Sequence, residues 1–179
     1  MKNKKGFTLV ELLAVIVILA LIMSIAIVSI GGILRSTRES TFKETAATII
    51  HGVRQELTLA NKLPNTGTGN SSTMYYGFSK SILDKDPSLP LGGNISYNTT
   101  GTKVGSGAVT VLSAAPSPAC GAKNAKSYVK VTYDDTSKQY TFYICLMPDN
   151  NNDPYIQETT EASLLTSDDN TMIKTTVRS

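Results

Sequence analysis

The chain of 179 residues has no tryptophan, one histidine, two cysteines and no proline before Pro64. A zinc site or catalytic triad built on histidine needs partners that the lone His51 lacks at any recognisable spacing. On the amphipathic stretch where it falls, His51 reads as a partly packed, solvent-linked side chain. No Walker loop, dinucleotide fingerprint or serine elbow occurs, and Gly67-Thr68-Gly69 and Gly101 to Gly107 read as turn glycines. The residues offer no enzymatic constellation. Charge is scarce as well, at 17% of residues against about 25% in ordinary domains. The net charge is +3, which Lys2, Lys4 and Lys5 match on their own, while residues 35–179 hold 14 basic and 13 acidic side chains. A nucleic-acid footprint spread over the chain is therefore unsupported.

What the chain does have is concentrated at its start. From Phe7 to Leu34, 22 of 28 residues are apolar. Between Glu11 and Arg35 lie 23 uncharged residues, which as a helix span roughly 34 Å, enough for a bilayer core. Three preceding lysines orient such a span with its N-terminus in the cytoplasm and the rest of the chain outside. A cleaved signal peptide has a passable site at Ser24-Ile25-Ala26, but the apolar run continues past it. Glu11 fits neither a signal peptide nor a plain anchor. An acid there costs roughly 2.5–3.5 kcal/mol on insertion scales, and it persists in membranes where it has a partner.

The run Lys5-Gly6-Phe7-Thr8-Leu9-Val10-Glu11 resembles the class III signal sequence of type IV pilins and pseudopilins: a basic leader, Gly, Phe, and Glu four residues later. The likeness covers about the first 35 residues. It implies that a prepilin peptidase cuts between Gly6 and Phe7 and methylates the new amine of Phe7, leaving the apolar segment on the mature chain. It also implies that Glu11 pairs with the Phe7 amine of a neighbouring subunit in a filament core. One departure stands out, because Val28 occupies a region where many members carry proline. Gly31-Gly32 either supplies the weak point in the helix or forms a small-residue packing face.

From Arg35 the pattern is amphipathic: Phe42, Ala46, Ile49, Val53, Leu57 and Ala60 form one helical stripe. Pro64 predicts an end near Lys62 or Leu63. Pro64 to Ser72 reads as a loop. Strand candidates are Met74–Ser79, Asn94–Thr100, Ala108–Ala114 and Met172–Val177, with a hairpin of Ser127–Tyr133 and Gln139–Leu146 about a turn at Asp134 to Lys138. The expected fold is α+β, a long N-terminal helix laid on a small antiparallel sheet, as the resemblance also implies. The expected divisions are a leader at 1–6, a membrane and polymerisation helix at 7–34, its amphipathic half at 35–63, and an extracytoplasmic head at 64–179.

Cys120 and Cys145, both placed outside the membrane, are expected to form a disulfide worth roughly 3 kcal/mol. Asp149, Asn151 and Asp153 alternate like the start of a calcium loop, but Pro154 and Thr160 stand where such a loop needs glycine and glutamate. They are weak calcium candidates, and no other cofactor is expected. The six acids from Asp149 to Asp169 read as a solvated face or flexible terminus.

The resemblance implies a structural subunit of a type IV pilus or pilus-like filament. Its partners would be identical or related subunits, the prepilin peptidase, an assembly platform and a cytoplasmic ATPase. It would wait in the cytoplasmic membrane, head outside, before entering a surface or envelope-spanning filament. The alternatives are a competence or type II secretion pseudopilin, or a minor pilin whose head binds DNA or a surface ligand. The near-neutral head weighs against DNA.

Overall fold

A computed structural model describes residues 8–64, 72–83, 88–166 and 172–175. The chain divides into two compact units, Met1–Arg38 and Glu39–Ser179. Helix α1, Leu9–Leu59, runs from the first into the second. With no proline or turn cluster in that stretch, nothing interrupts its hydrogen-bond ladder. Gly31 and Gly32 lie within it, and a Cβ built on either meets no atom within 4 Å. No packing within the chain requires either glycine.

The expected stripe is the buried one. Phe42, Ala46, Ile49, Val53 and Leu57 are fully buried, and Ile50 joins them. Each large member contributes about 1.5–3 kcal/mol relative to exposure. The helix ends at Leu59, earlier than Pro64 predicts. Asn61 adopts a left-handed conformation (φ 51°), Lys62 N–H donates to Leu57 O at 2.9 Å, and Asn61 N–H donates to Thr58 O at 3.2 Å. That is a Schellman cap, which satisfies the last carbonyls and turns the chain away before the proline is reached. The Tyr76 hydroxyl then donates to Lys62 O at 2.7 Å, and burial raises its pKa to about 12.

The second unit also contains a seven-stranded antiparallel sheet. Its strands are β1 Ser72–Phe78, β2 Thr102–Val104, β3 Val109–Leu112, β4 Tyr128–Asp134, β5 Gln139–Leu146, β6 Tyr155–Thr160 and β7 Ile173–Lys174. Their spatial order is β2-β3-β1-β4-β5-β6-β7. Alternation along β1, β4 and β5 sends Tyr76, Phe78, Val129, Val131, Phe142, Ile144 and Leu146 into the core that α1 covers. The opposite face holds a second cluster of Ala125, Tyr128, Cys145, Met147 and Tyr155, with Cys120 packed against it. The fold is α+β, as the pattern predicts.

The predicted hairpin is β4–β5, in register from Tyr128 with Cys145 to Asp134 with Gln139. Asp134 closes its turn by accepting from Thr136 N–H at 2.9 Å and Ser137 Oγ–H at 2.8 Å. One strand expectation needs correction, and two strands and a helix lie outside the expected set. The segment Asn94–Thr100 is not a strand. It makes single bridges, Ser88 with Asn94 and Ile95 with Pro148, because left-handed Gly92, Gly93 and Gly101 bend the chain at both ends. Strand β2, in the glycine-punctuated stretch read as turns, was not anticipated. Nor were β6 and helix α2, Glu161–Thr166, which fall in the run read as a solvated face or flexible terminus.

That acidic run is built into the head. Between Ile144–Thr159 and Leu146–Ile156 the pairing shifts by one extra residue on β6. A bulge of this kind changes which face the next side chain takes. Ile156 lies in the core under α1, whereas Glu158 accepts from the Tyr128 hydroxyl at 2.6 Å and pairs with Lys130. Burial, then the Glu158 contact, raise the Tyr128 pKa. Glu161 likewise pairs with Arg54 of α1 and sits 3.3 Å from His51 Nε2.

Gly77 marks a close approach of two backbones: a Cβ there would lie 2.1 Å from Asn98 O. Glycine in a strand interior is otherwise unfavourable, so this contact explains its use. Gly77→Ala should destabilise the protein by about 2 kcal/mol or more, since a backbone carbonyl cannot yield as a side-chain tip can. Urea unfolding of the full chain in detergent checks this, and a variant as stable as the parent contradicts the crossing.

Candidate functional site

Of the residues the sequence singles out at the N-terminus, Gly6 and Phe7 lie outside the described residues. Glu11 lies in the first turn of α1. Its Oε2 accepts from Thr8 N–H and from the Thr8 hydroxyl, each at 2.9 Å, and its own N–H donates to Thr8 Oγ at 3.3 Å. This reciprocal arrangement is a capping box. Helix starts leave backbone donors without partners, and Thr8 and Glu11 each satisfy one of the other's. The Thr8-Leu9-Val10-Glu11 spacing carries this signal. Reading Glu11 only as a partner for another subunit overlooks it.

Beyond the cap, α1 presents an apolar surface on all sides. Seventeen large apolar side chains from Leu9 to Leu34 are 50–80% exposed, and none of the most apolar 18-residue window is buried. An ordinary amphipathic helix buries one stripe. This segment buries no stripe in its own chain, so its surface awaits lipid or other helices. The contrast with the stripe from Phe42 to Leu57 divides α1 chemically.

The structure joins Cys120 to Cys145, with their Cα atoms 6.0 Å apart. The bond fixes the segment between β3 and β4 to fully buried Cys145 of β5, beside Met147 and Tyr155. Closing that loop contributes roughly 3 kcal/mol.

The calcium candidates Asp149, Asn151 and Asp153 make contacts within the chain. The Asp149 carboxylate accepts from Asn94 N–H at 3.0 Å and from the Asn94 side-chain amide at 3.2 Å, while Asp149 N–H donates to Asn94 O at 2.8 Å. Asn151 Oδ1 accepts from Asn124 N–H at 3.0 Å, and its side-chain amide donates to Asn124 Oδ1 at 3.2 Å. Asp153 packs its carboxylate against Gly92 and Gly93, close to Asp149. Among the described residues no three His, Cys, Asp or Glu side chains cluster as a metal site. His51 is exposed, with Glu161 as its neighbour.

Residues 1–27 match the family model described as the prokaryotic N-terminal methylation motif, the signature of type IV pilins and pseudopilins. No curated protein and no solved structure matches the chain. The motif ends within the apolar part of α1, and the head lies outside it.

The Asp149–Asn94 clasp has a pH dependence with a definite sign. The Asn94 N–H bond, its largest cause, holds the Asp149 carboxyl below the ordinary aspartate value of 3.8. A lowered carboxyl stabilises the fold above the unfolded value, and that contribution is lost as pH falls through the folded one. The Asn94 amide resonance should therefore titrate with a midpoint below 3.8. A midpoint at or above it contradicts the clasp.

Proposed function

We propose that this chain is a structural, non-enzymatic subunit of a type IV pilus or pilus-like filament, which polymerises through the apolar half of α1. The observation that carries the reading is a coincidence of position: the methylation motif at residues 1–27 overlaps the helical surface that its own chain leaves uncovered. In this reading residues 1–6 are a leader, residues 7–34 the membrane and polymerisation helix, residues 35–63 its amphipathic half, and residues 64–179 the outer head. A prepilin peptidase removes the leader between Gly6 and Phe7 and methylates Phe7. The subunit then waits in the cytoplasmic membrane with its head outside, until an assembly platform and a cytoplasmic ATPase extrude it.

The energetics favour exchange between two apolar environments. Seventeen large side chains represent on the order of tens of kcal/mol of hydrophobic free energy if moved into water. Extraction from a bilayer is therefore feasible only where neighbouring helices replace the lipid. Glu11 sets the register in this scheme. Thr8 satisfies it locally in the single subunit, and the Phe7 amine of the next subunit supplies the opposite charge in the filament. Removing one member of such a buried pair strands the other at roughly 3–5 kcal/mol.

Two substitutions separate the charge from the cap. Glu11→Gln keeps a side chain able to complete a capping box but removes the charge, whereas Glu11→Ala removes both. Both variants should accumulate in the membrane as processed subunit and give little sheared filament at matched expression. Filament yield at the parent level from Glu11→Gln, with failure of Glu11→Ala alone, would reduce Glu11 to a helix cap. Parent-level yield from both would remove it from assembly.

A further inference from the structure

The head contains a groove lined by no residue of the apolar half of α1. It lies between the last turns of α1 and the end of the β4–β5 hairpin, is open to solvent with a volume of about 450 Å³, and is lined by Arg54, Thr58, Lys138, Gln139, Tyr140 and Phe142 beside Leu63. Clefts of roughly 300–1,000 Å³ take small ligands.

Its walls are held in place by contacts behind them. The Arg54 guanidinium lies 4.4 Å from the Phe142 ring centroid and is fixed by Glu161. The Thr58 hydroxyl donates to Arg54 O at 2.8 Å, which leaves its oxygen as an acceptor. The Tyr140 ring packs on Tyr133 at 4.9 Å, and its hydroxyl donates to Pro64 O at 3.1 Å. Lys138 has left-handed backbone (φ 56°) at the hairpin end, and its ammonium donates to Asp135 at 2.6 Å. That bond raises the Lys138 pKa, keeping the group charged.

The lining thus combines two cations, an amide, a hydroxyl and a partly exposed aromatic ring, while the carboxylates that pair with the cations, Glu161 and Asp135, are not among the lining residues. Cations bind carboxylates through charge-assisted hydrogen bonds, and an aromatic face accommodates the apolar face of a sugar ring. We propose that this groove binds an acidic saccharide: a carboxylated pyranose resting on Tyr140, its carboxylate toward Arg54 and Lys138, its hydroxyls toward Gln139 and Thr58. A single-stranded nucleic acid fits less well. It needs a longer cationic track with successive stacking platforms, and this groove has two cations and one exposed ring. The inference concerns the head alone and stands whether or not the chain polymerises.

The test is calorimetric titration of the full chain in detergent micelles with digalacturonate, its neutral methyl ester and a short oligothymidylate. Digalacturonate should bind saturably and the ester about tenfold more weakly, the equivalent of one charge-assisted contact. Tyr140→Ala and Lys138→Gln should each weaken digalacturonate binding by about the same factor. Lys138 is 66% exposed, so its substitution leaves the fold intact, and the ester comparison needs no variant. Absence of saturable binding, equal affinity for the ester, preference for oligothymidylate, or indifference to both substitutions would each overturn the proposal.

Discussion

An apolar helical surface that its own chain does not cover is the constraint from which the rest of this molecule follows. From Leu9 to Leu34 the side chains that would ordinarily face a core face outward. Such a segment is stable in a bilayer or among other helices, and unstable in water. Besides Ser24 and Ser29, two features of the segment depart from plain apolarity. The glycine pair at Gly31-Gly32 requires nothing from the rest of the chain. Glu11 is held by Thr8 in a box that lets one carboxylate serve the helix start.

The head solves a different problem with the same helix. Where α1 continues past Glu39, one stripe is buried against a sheet and the other side is polar. A head of about a hundred residues has limited apolar area, and both faces of its sheet need covering. The helix covers one. On the other, the disulfide ties down a loop that completes a cluster around Tyr128, Met147 and Tyr155. Charged residues finish the packing: Glu158 and Glu161 join β6 and α2 to Lys130 and Arg54. A run of acids without bases nearby in sequence acquires its bases from elsewhere in the fold.

Much of this was readable in advance wherever a short-range period was strong. The spacing from Phe42 to Leu57, the alternating arms of β4 and β5 and the pairing of Cys120 with Cys145 all reappear in the structure. The readings that failed depended on events without a periodic signal. Asn61 ends α1 through a left-handed cap, which asparagine permits but does not announce. In β6 a bulge interrupts the alternation, so Gln157 and Glu158 concealed a strand as a solvated polar run. The groove was invisible for a related reason, since Arg54 and Phe142 meet only through the tertiary fold. At the N-terminus the motif was plain, but Thr8 was not read with Glu11, although their spacing states the cap.

Assembly through α1 requires that the mature protein keep its uncovered helix. A chain that lost residues up to Ala26 would lose Glu11, the capping box and most of the apolar surface together, and the head would have no means of polymerising in this way. Intact-mass and N-terminal peptide mass spectrometry of sheared surface material measures this directly. The mature N-terminus should be Phe7 carrying one methyl group. An N-terminus at Ile27 would contradict it.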